Sequence, residues 1–436
     1  MAKINCSVEI EEPIYTYTEA NNGAGPFWCM GNSCIVRYGD DVFVSGVETL
    51  KNVKPLNNLR WLLFKREETG WRLQIADEER QREPCPLAIF SDGRLLLSTN
   101  PTLTVSDVRE GPANPHLLQF QADDLSAPPV ALQPVWDHNP GFGEHSYRGI
   151  GVDGENHELA IFNNYGYDEQ YWAFLNRHGE WENRGIINYP LRCCYQNIAL
   201  KNGVCHIQAV SDIVETNPEW RAWKKDFYQK EWDYVFRRLF YYYNPNLARE
   251  QFLEPIEIEN VDATAGHLRN LDLWIAPDGA AHLLYLKKSV GVPEMRDVFF
   301  PGVPLTTSLE YCIIAEDKIV HRRTLLSGGE NLSNELPIEA RLHETPDGRL
   351  LMIYATQDVD NPEGVKNYLM EIIHGECASP IPLPLRKPFT NFMSASPRNG
   401  CLPNEYIDLY GATYMQSGLA KLSTQDELRY VRIRLR

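Results

Sequence analysis

The chain has 436 residues, 43% of them hydrophobic, with a formal net charge of −17, so it is long enough to bury a large core. The negative balance argues against general binding to nucleic acid or anionic membranes, which need a basic field. No apolar run approaches the roughly 18 residues that cross a bilayer, and the opening MAKINCSVEIEE lacks the hydrophobic segment of a secretory signal. The expectation is a cytoplasmic protein, or a periplasmic or secreted one if a signal has been removed. Ten cysteines without CxxC pairs read as small buried hydrophobes in a reducing compartment, rather than as disulfides or zinc ligands.

Near the start, Cys6, Val8 and Ile10 alternate as in a strand, and CIVRYGDDVFVSG holds a strand, a Gly39-Asp40 turn and a second strand. RWLLFKREETGWRLQI adds two more. The same unit recurs at LAIFSDGRLLLS, RGIGVDGENHELAIF, LDLWIAPDGAAHLLYL and ARLHETPDGRLLMIYA, each around an Asp-Gly pair. In residues 195–210 the pair is Asn202-Gly203, between the runs Tyr195 to Leu200 and Val204 to Val210, and Asn399-Gly400 fits the same slot. Residues 219–232 suggest a short helix inside a loop, followed by a strand from Phe236 to Tyr243, and Leu428 to Leu435 alternates at the end.

About seven such units at roughly 45 to 75 residue spacing predict a propeller. The expected architecture is an all-β, seven-bladed β-propeller of four-stranded antiparallel blades, closed by pairing of the N- and C-terminal strands. It occupies residues 1–436 as a single domain. Two stacked sandwiches are the competing fold, but they do not explain the recurrent Asp-Gly turns. Long connections between second and third strands, at about 47–58, 99–114, 213–233 and 287–307, mark one face as the functional one, since functional side chains gather on loops held by a rigid scaffold.

Counting back from each turn locates the ends of the inner strands on that face. Eight residues before it lie His145, Cys194, Asn270 and Glu339; six before it lie Tyr147, Gln196, Asp272 and Arg341. Arg148, Arg192, Tyr195, His267 and Arg269 stand beside this ring, and the insertions bring Arg221, Lys224, Lys225, Lys287, Lys288 and Arg296 overhead. The result is a basic pocket in an acidic chain.

Such a pocket suits β-elimination at a uronate, which needs donors to neutralise the carboxylate, a base for the C5 proton and an acid for the leaving O4. His145 is the candidate base and Tyr195 or Tyr147 the acid. Arg148, Arg192 or Arg341 would pair with the carboxylate, because a guanidinium fork matches it. His267, Arg269, Asn270, Asp272, Glu339, Arg341, Gln196, Arg221 and Trp220 are the candidate substrate-binding residues. The scheme calls for no metal and no cofactor. Two alternatives remain: hydrolysis by Asp272 and Glu339 as an acid and base pair, and a non-catalytic sugar- or protein-binding propeller. Trp28, Tyr165, Tyr167, Trp220, Trp223 and Trp232 are candidates to stack on sugar rings.

At FSDGRLLLS and TPDGRLLMIYA the chain resembles the BNR or Asp-box-like propellers found among sialidases and among ulvan-lyase-like polysaccharide lyases. It departs from the sialidase pattern, since the Asp-box tryptophan is missing and no Arg-Ile-Pro opens the first blade. The resemblance to ulvan-lyase-like propellers implies seven blades and a site of His, Tyr and Arg near the axis. His145, Tyr195, Arg148 and Arg192 are its counterparts by residue type and blade location, and an anionic carbohydrate is the implied partner.

Overall fold

The computed structural model describes residues 4–230, 233–361, 363–413 and 425–436. Seven antiparallel sheets follow one another around a ring. The first blade is Ile35–Tyr38, Asp41–Thr49, Leu59–Glu67 and Gly70–Ala76; the second is Leu87–Ile89, Arg94–Thr99, His116–Gln121 and Val130–Leu132. The third is Arg148–Asp153, Glu158–Tyr165, Glu169–Leu175 and Trp181–Asn188, and the fourth Cys193–Lys201, Val204–Ser211, Arg238–Asn244 and Ile256–Asn260. The fifth is His267–Ile275, Ala281–Lys288, Thr306–Ala315 and Lys318–Gly329. In the sixth, Glu335–Glu344, Leu350–Asp358 and Val365–Ile373 are edged by the short Glu376–Cys377 and Ile381–Leu383. The seventh joins Asn391–Ser394, Tyr406–Ala412 and Gln425–Leu435 to Cys6–Thr18, so the two ends of the chain share one blade and close the ring.

The turns follow from local chemistry. Gly93, Gly203, Gly279 and Gly348 all have positive φ, which these tight turns require and glycine adopts without steric cost; Asn202-Gly203 alone of the four is a two-residue turn. Inner and second strands are enclosed on both sides, so Glu158–Tyr165 and Val204–Ser211 are buried almost end to end. The core lies between blades: Phe162 and Trp172 of the third pack with Ile198, Ile207 and Phe240 of the fourth.

Asn399-Gly400 departs from its expected hairpin. The link between Asn391–Ser394 and Tyr406–Ala412 instead crosses the axis. Ile89 N donates to Asn399 O at 2.9 Å, and the Asn399 side chain donates to Leu87 O at 2.7 Å. A Cβ at Gly400 would lie 1.9 Å from Ile89 O, so only glycine fits. From the other end the segment before the first blade also enters the axis: Gly31 O accepts from Arg398 at 2.8 Å, and Asn32 bonds to Arg148 O and Ile150 N. The axis is therefore filled by two chain segments, and the sites lie at its ends.

Two of the long connections pack against each other. Residues 212–237 carry a helix, α1 (Pro218–Tyr228), capped by the Asn217 side chain, which accepts from the backbone N–H groups of Glu219 and Trp220. It packs on the 290–305 loop through Trp220, Trp223, Val290, Met295 and Phe300. Lys224, 3% exposed, is tied to Glu215 at 2.8 Å, and Arg237 holds the same carboxylate, which anchors the helix over the fourth and fifth blades. All ten cysteines are free thiols, and eight are buried. Among the described residues no helix is long and apolar enough to cross a membrane.

Candidate active site

Four rings run in a line across the loop-bearing end of the axis. His145 meets Tyr147 edge-on at 6.3 Å, Tyr147 lies 4.9 Å from Tyr195, and Trp28 meets Tyr195 edge-on at 5.8 Å. His145 and Tyr147 precede the inner strand of the third blade, Tyr195 opens that of the fourth, and Trp28 belongs to the axial segment. Tyr195 has φ +57°, and the pairing of Cys193–Lys201 with Val204–Ser211 shifts register between Cys194 and Asn197. This bulge sets the Tyr195 ring, 4% exposed, against Tyr147 and Trp28, in a strained conformation costing on the order of 1 kcal/mol. Asn270 holds it by donating to Tyr195 O at 2.7 Å.

Two guanidinium groups flank the line, with Arg192 at 5.4 Å and Arg82 at 5.9 Å from the Tyr147 ring centre. Each has its own carboxylate: Arg192 Nη1 lies 2.9 Å from Asp212 and Arg82 Nη1 3.2 Å from Glu83. Burial, opposed by these arginines, pushes both carboxyl groups above their ordinary range. Burial also raises Tyr147, against Arg82 and Arg192, and raises Tyr195 well above the usual phenol value. Both tyrosines are therefore protonated at neutral pH and can act as acids. The Arg82 and Arg192 guanidinium groups both lie against the Tyr147 ring, and the Tyr195 hydroxyl makes no hydrogen bond to the described residues.

The imidazole is oriented from the next residue. His145 Nδ1 lies 2.6 Å from Glu144 Oε1, while Glu144 Oε2 accepts from Gly111 N at 3.0 Å. Burial works against the Glu144 charge, but these hydrogen bonds outweigh it and hold the carboxyl at about 2. A carboxylate facing Nδ1 places the proton there and leaves the Nε2 lone pair outward. The His145 side chain is 47% exposed, so Nε2 can meet a ligand.

Several predicted residues lie elsewhere. Arg148 points between the second and third blades, donating to Ser98 O and, at 2.7 Å, to Pro84 O. Gln196 is enclosed and bonds to Tyr189 and to Cys193 O. Asp272, 1% exposed, pairs with Arg398 at 2.7 Å, and Glu339, fully buried, pairs with both Arg269 and Arg341. Arg341 also donates to Leu271 O at 2.5 Å. Trp220 lies against Phe300 beneath Arg237, Trp223 stacks on Phe227, and Arg221 is half-buried on α1. Tyr165 and Tyr167 are exposed, and Trp232 lies outside the described residues. His267 and Arg269 sit at the loop-bearing end of the fifth blade. Arg82, Glu83, Glu144 and Asp212 complete the site without having been singled out from the sequence; the adjacent Glu144-His145 pair was the one signal available. Among the described residues no three His, Cys, Asp or Glu side chains converge to hold a metal ion.

The fold defines a class: it is a seven-bladed propeller, an architecture also found among carbohydrate-active enzymes of known structure. The chain is similar to an ulvan lyase of polysaccharide lyase family PL25 (TM-score 0.55, 7% identity, 97% of this chain and 95% of that one). It is equally similar to that lyase bound to -[GlcA(1-4)Rha3S]- (TM-score 0.54, 7% identity, the same coverage). An α-L-arabinanase from Penicillium chrysogenum, complexed with arabinobiose, also aligns (TM-score 0.44, 10% identity, 99% of this chain and 98% of that one). No protein-family model and no curated protein sequence matches the chain.

Proposed function

We propose that the protein is a polysaccharide or oligosaccharide lyase that cleaves next to a uronate by β-elimination. The observation that carries this reading is the Glu144–His145 pair beside two protonated tyrosines and two guanidinium groups. The uronate carboxylate lies between Arg82 and Arg192, whose charge and hydrogen bonds stabilise the enolate-like anion that forms at C5. His145 Nε2 takes the C5 proton. Tyr195, whose hydroxyl has no internal hydrogen bond among the described residues, donates its proton to O4 as the C4–O4 bond breaks, leaving a C4–C5 double bond. Solvent then returns a proton to Tyr195 and removes one from His145. Glu83 and Asp212 fix the two arginines in place, with the Tyr147 ring packed between them and Tyr195.

A hydrolytic reading finds less support in Asp272 and Glu339, since each is enclosed and committed to arginine. The test is to incubate the protein with uronate-containing polysaccharides and follow absorbance of the conjugated product together with new reducing ends. Elimination gives both. Hydrolysis gives reducing ends without absorbance, and a binding protein gives neither. His145→Ala and Tyr195→Phe are expected to lower turnover by about 10²–10⁴-fold.

A further inference from the structure

Most cations on the loop-bearing face have a carboxylate of their own. Arg82 has Glu83, Arg192 has Asp212, and Lys224 with Arg237 faces Glu215 and Asp233. The fifth blade differs. Arg269 and Arg341 share the single carboxylate of Glu339, at 2.5 and 3.0 Å, and Lys288 forms no ion pair with any described residue.

His267 and Lys288 are directly opposed across the first two strands of that blade, and Arg269, two residues beyond His267, projects from the same side of the sheet. The charges of Lys288 and Arg269, so placed, repel. Burial, Lys288 and Arg269 together push His267 down to about 3, which leaves it neutral beside the two cations. Arg269 Nε is shielded from solvent without a hydrogen-bond partner, although the side chain as a whole is 24% exposed and Lys288 is open to solvent. An anion lying among the three would relieve the repulsion and satisfy the unused donors. The cluster adjoins the cleavage site, because Asn270, the residue after Arg269, is the one that holds Tyr195 O.

We propose that His267, Arg269 and Lys288 form a second anion subsite, which takes a carboxylate or sulfate ester on the sugar next to the one cleaved. The inference rests on the reading that an anionic sugar occupies this face. It makes the substrate a polymer charged on consecutive units, rather than one with isolated uronates.

Binding of oligosaccharides that carry a methylene in place of the leaving O4, and so cannot be cleaved, to the full chain, measured by titration calorimetry, tests this without needing turnover. Three ligands share one uronate and differ in the neighbouring sugar, which is neutral, carboxylated or sulfated. The charged neighbour is expected to tighten binding about tenfold, and Lys288→Ala to remove most of that gain. Lys287→Ala deletes an equal charge whose amine is already paired with Glu259 at 3.0 Å, and should keep the gain. Whichever charged ligand gains more identifies the anion. Equal affinity for all three ligands, or equal gains in wild type and Lys288→Ala, overturns the subsite and leaves the uronate reading standing. Binding of none of the ligands overturns both. Charge-dependent binding without turnover of any uronate polymer supports the subsite and refutes the lyase.

Discussion

Replacing Glu144 with glutamine removes a charge from the site while keeping its shape. The carboxylate makes two contacts, at 2.6 Å to His145 Nδ1 and 3.0 Å to Gly111 N. It is held near 2, where burial is outweighed by those hydrogen bonds, and so is ionised at any working pH. A charge-assisted hydrogen bond contributes about 1.5–3 kcal/mol and a neutral one about 0.5–1.5, so the direct loss is roughly 1–2 kcal/mol. The amide adds a second effect. It can present N–H to Nδ1, which selects the tautomer with its proton on Nε2 and takes away the base. The expected outcome is a fall in kcat of about 10–100-fold with little change in KM. Initial rates of ultraviolet absorbance on a uronate polymer measure it, and an unchanged denaturation midpoint shows that the fold is intact. A folded Glu144→Gln variant with kcat within about twofold of wild type would mean that His145 does not need its carboxylate, and the assignment of the base would fail.

Tyr195→Phe removes a hydroxyl that bonds to no described residue, so kcat should fall by about 10²-fold or more at unchanged stability, read from paired rate and denaturation measurements. A Cβ at Gly31 would lie 2.1 Å from Gln196 O and 2.3 Å from Tyr195 O. Backbone cannot yield as a flexible side chain can, so Gly31→Ala should cost about 1–3 kcal/mol in denaturant unfolding and lower activity with it; equal stability would refute the wedge. His206 is held neutral by burial down to about 3 while its ring bonds to the Tyr241 hydroxyl at 2.7 Å. The unfolded chain protonates this residue near its ordinary value of about 6.5, so stability is full above that pH and is lost as pH falls toward the folded value. Between about pH 7 and pH 5 the wild type should lose about 2 kcal/mol more than His206→Gln, measured by denaturant unfolding at each pH; parallel losses would contradict the burial argument.

The ring was legible because its punctuation is local. Most Asp-Gly or Asn-Gly turns state their own backbone requirement, and Gly93, Gly203, Gly279 and Gly348 meet it with positive φ, whereas after Asp153-Gly154 it is His157 that takes the left-handed position. Asn399-Gly400 carries the same letters, but its glycine serves a close approach to Ile89 O, which depends on the second blade being there. The site was only partly legible. Counting back from the turn assumes regular strands, and the inner strands shift register between Cys194 and Asn197, Asn270 and Asp272, and Pro337 and Glu339. Each extra residue moves a side chain from wall to mouth or back. That is why the Tyr195 ring joins Tyr147 and Trp28, whereas Gln196 turns to Tyr189 and Asp272 to Arg398. Arg148 has the right type and position, but the carbonyls of Pro84 and Ser98 that claim it come from another blade. Arg82 and Glu83 escaped because the short inner strand Leu87–Ile89 follows them at a different offset. Trp220 and Trp223 looked free because the sequence shows an aromatic helix without the 290–305 loop that covers it.

The most direct test of the account is a crystal structure of the Tyr195→Phe variant with a uronate oligosaccharide. We predict the uronate carboxylate between Arg82 and Arg192, with C5 facing His145 Nε2 and O4 toward residue 195. A cavity of about 170 Å³ at the opposite end of the axis, lined by Lys201, Trp274, Glu344 and Leu402, offers the other place for a ligand. Sugar bound there, with the His145 face empty, would contradict the central claim.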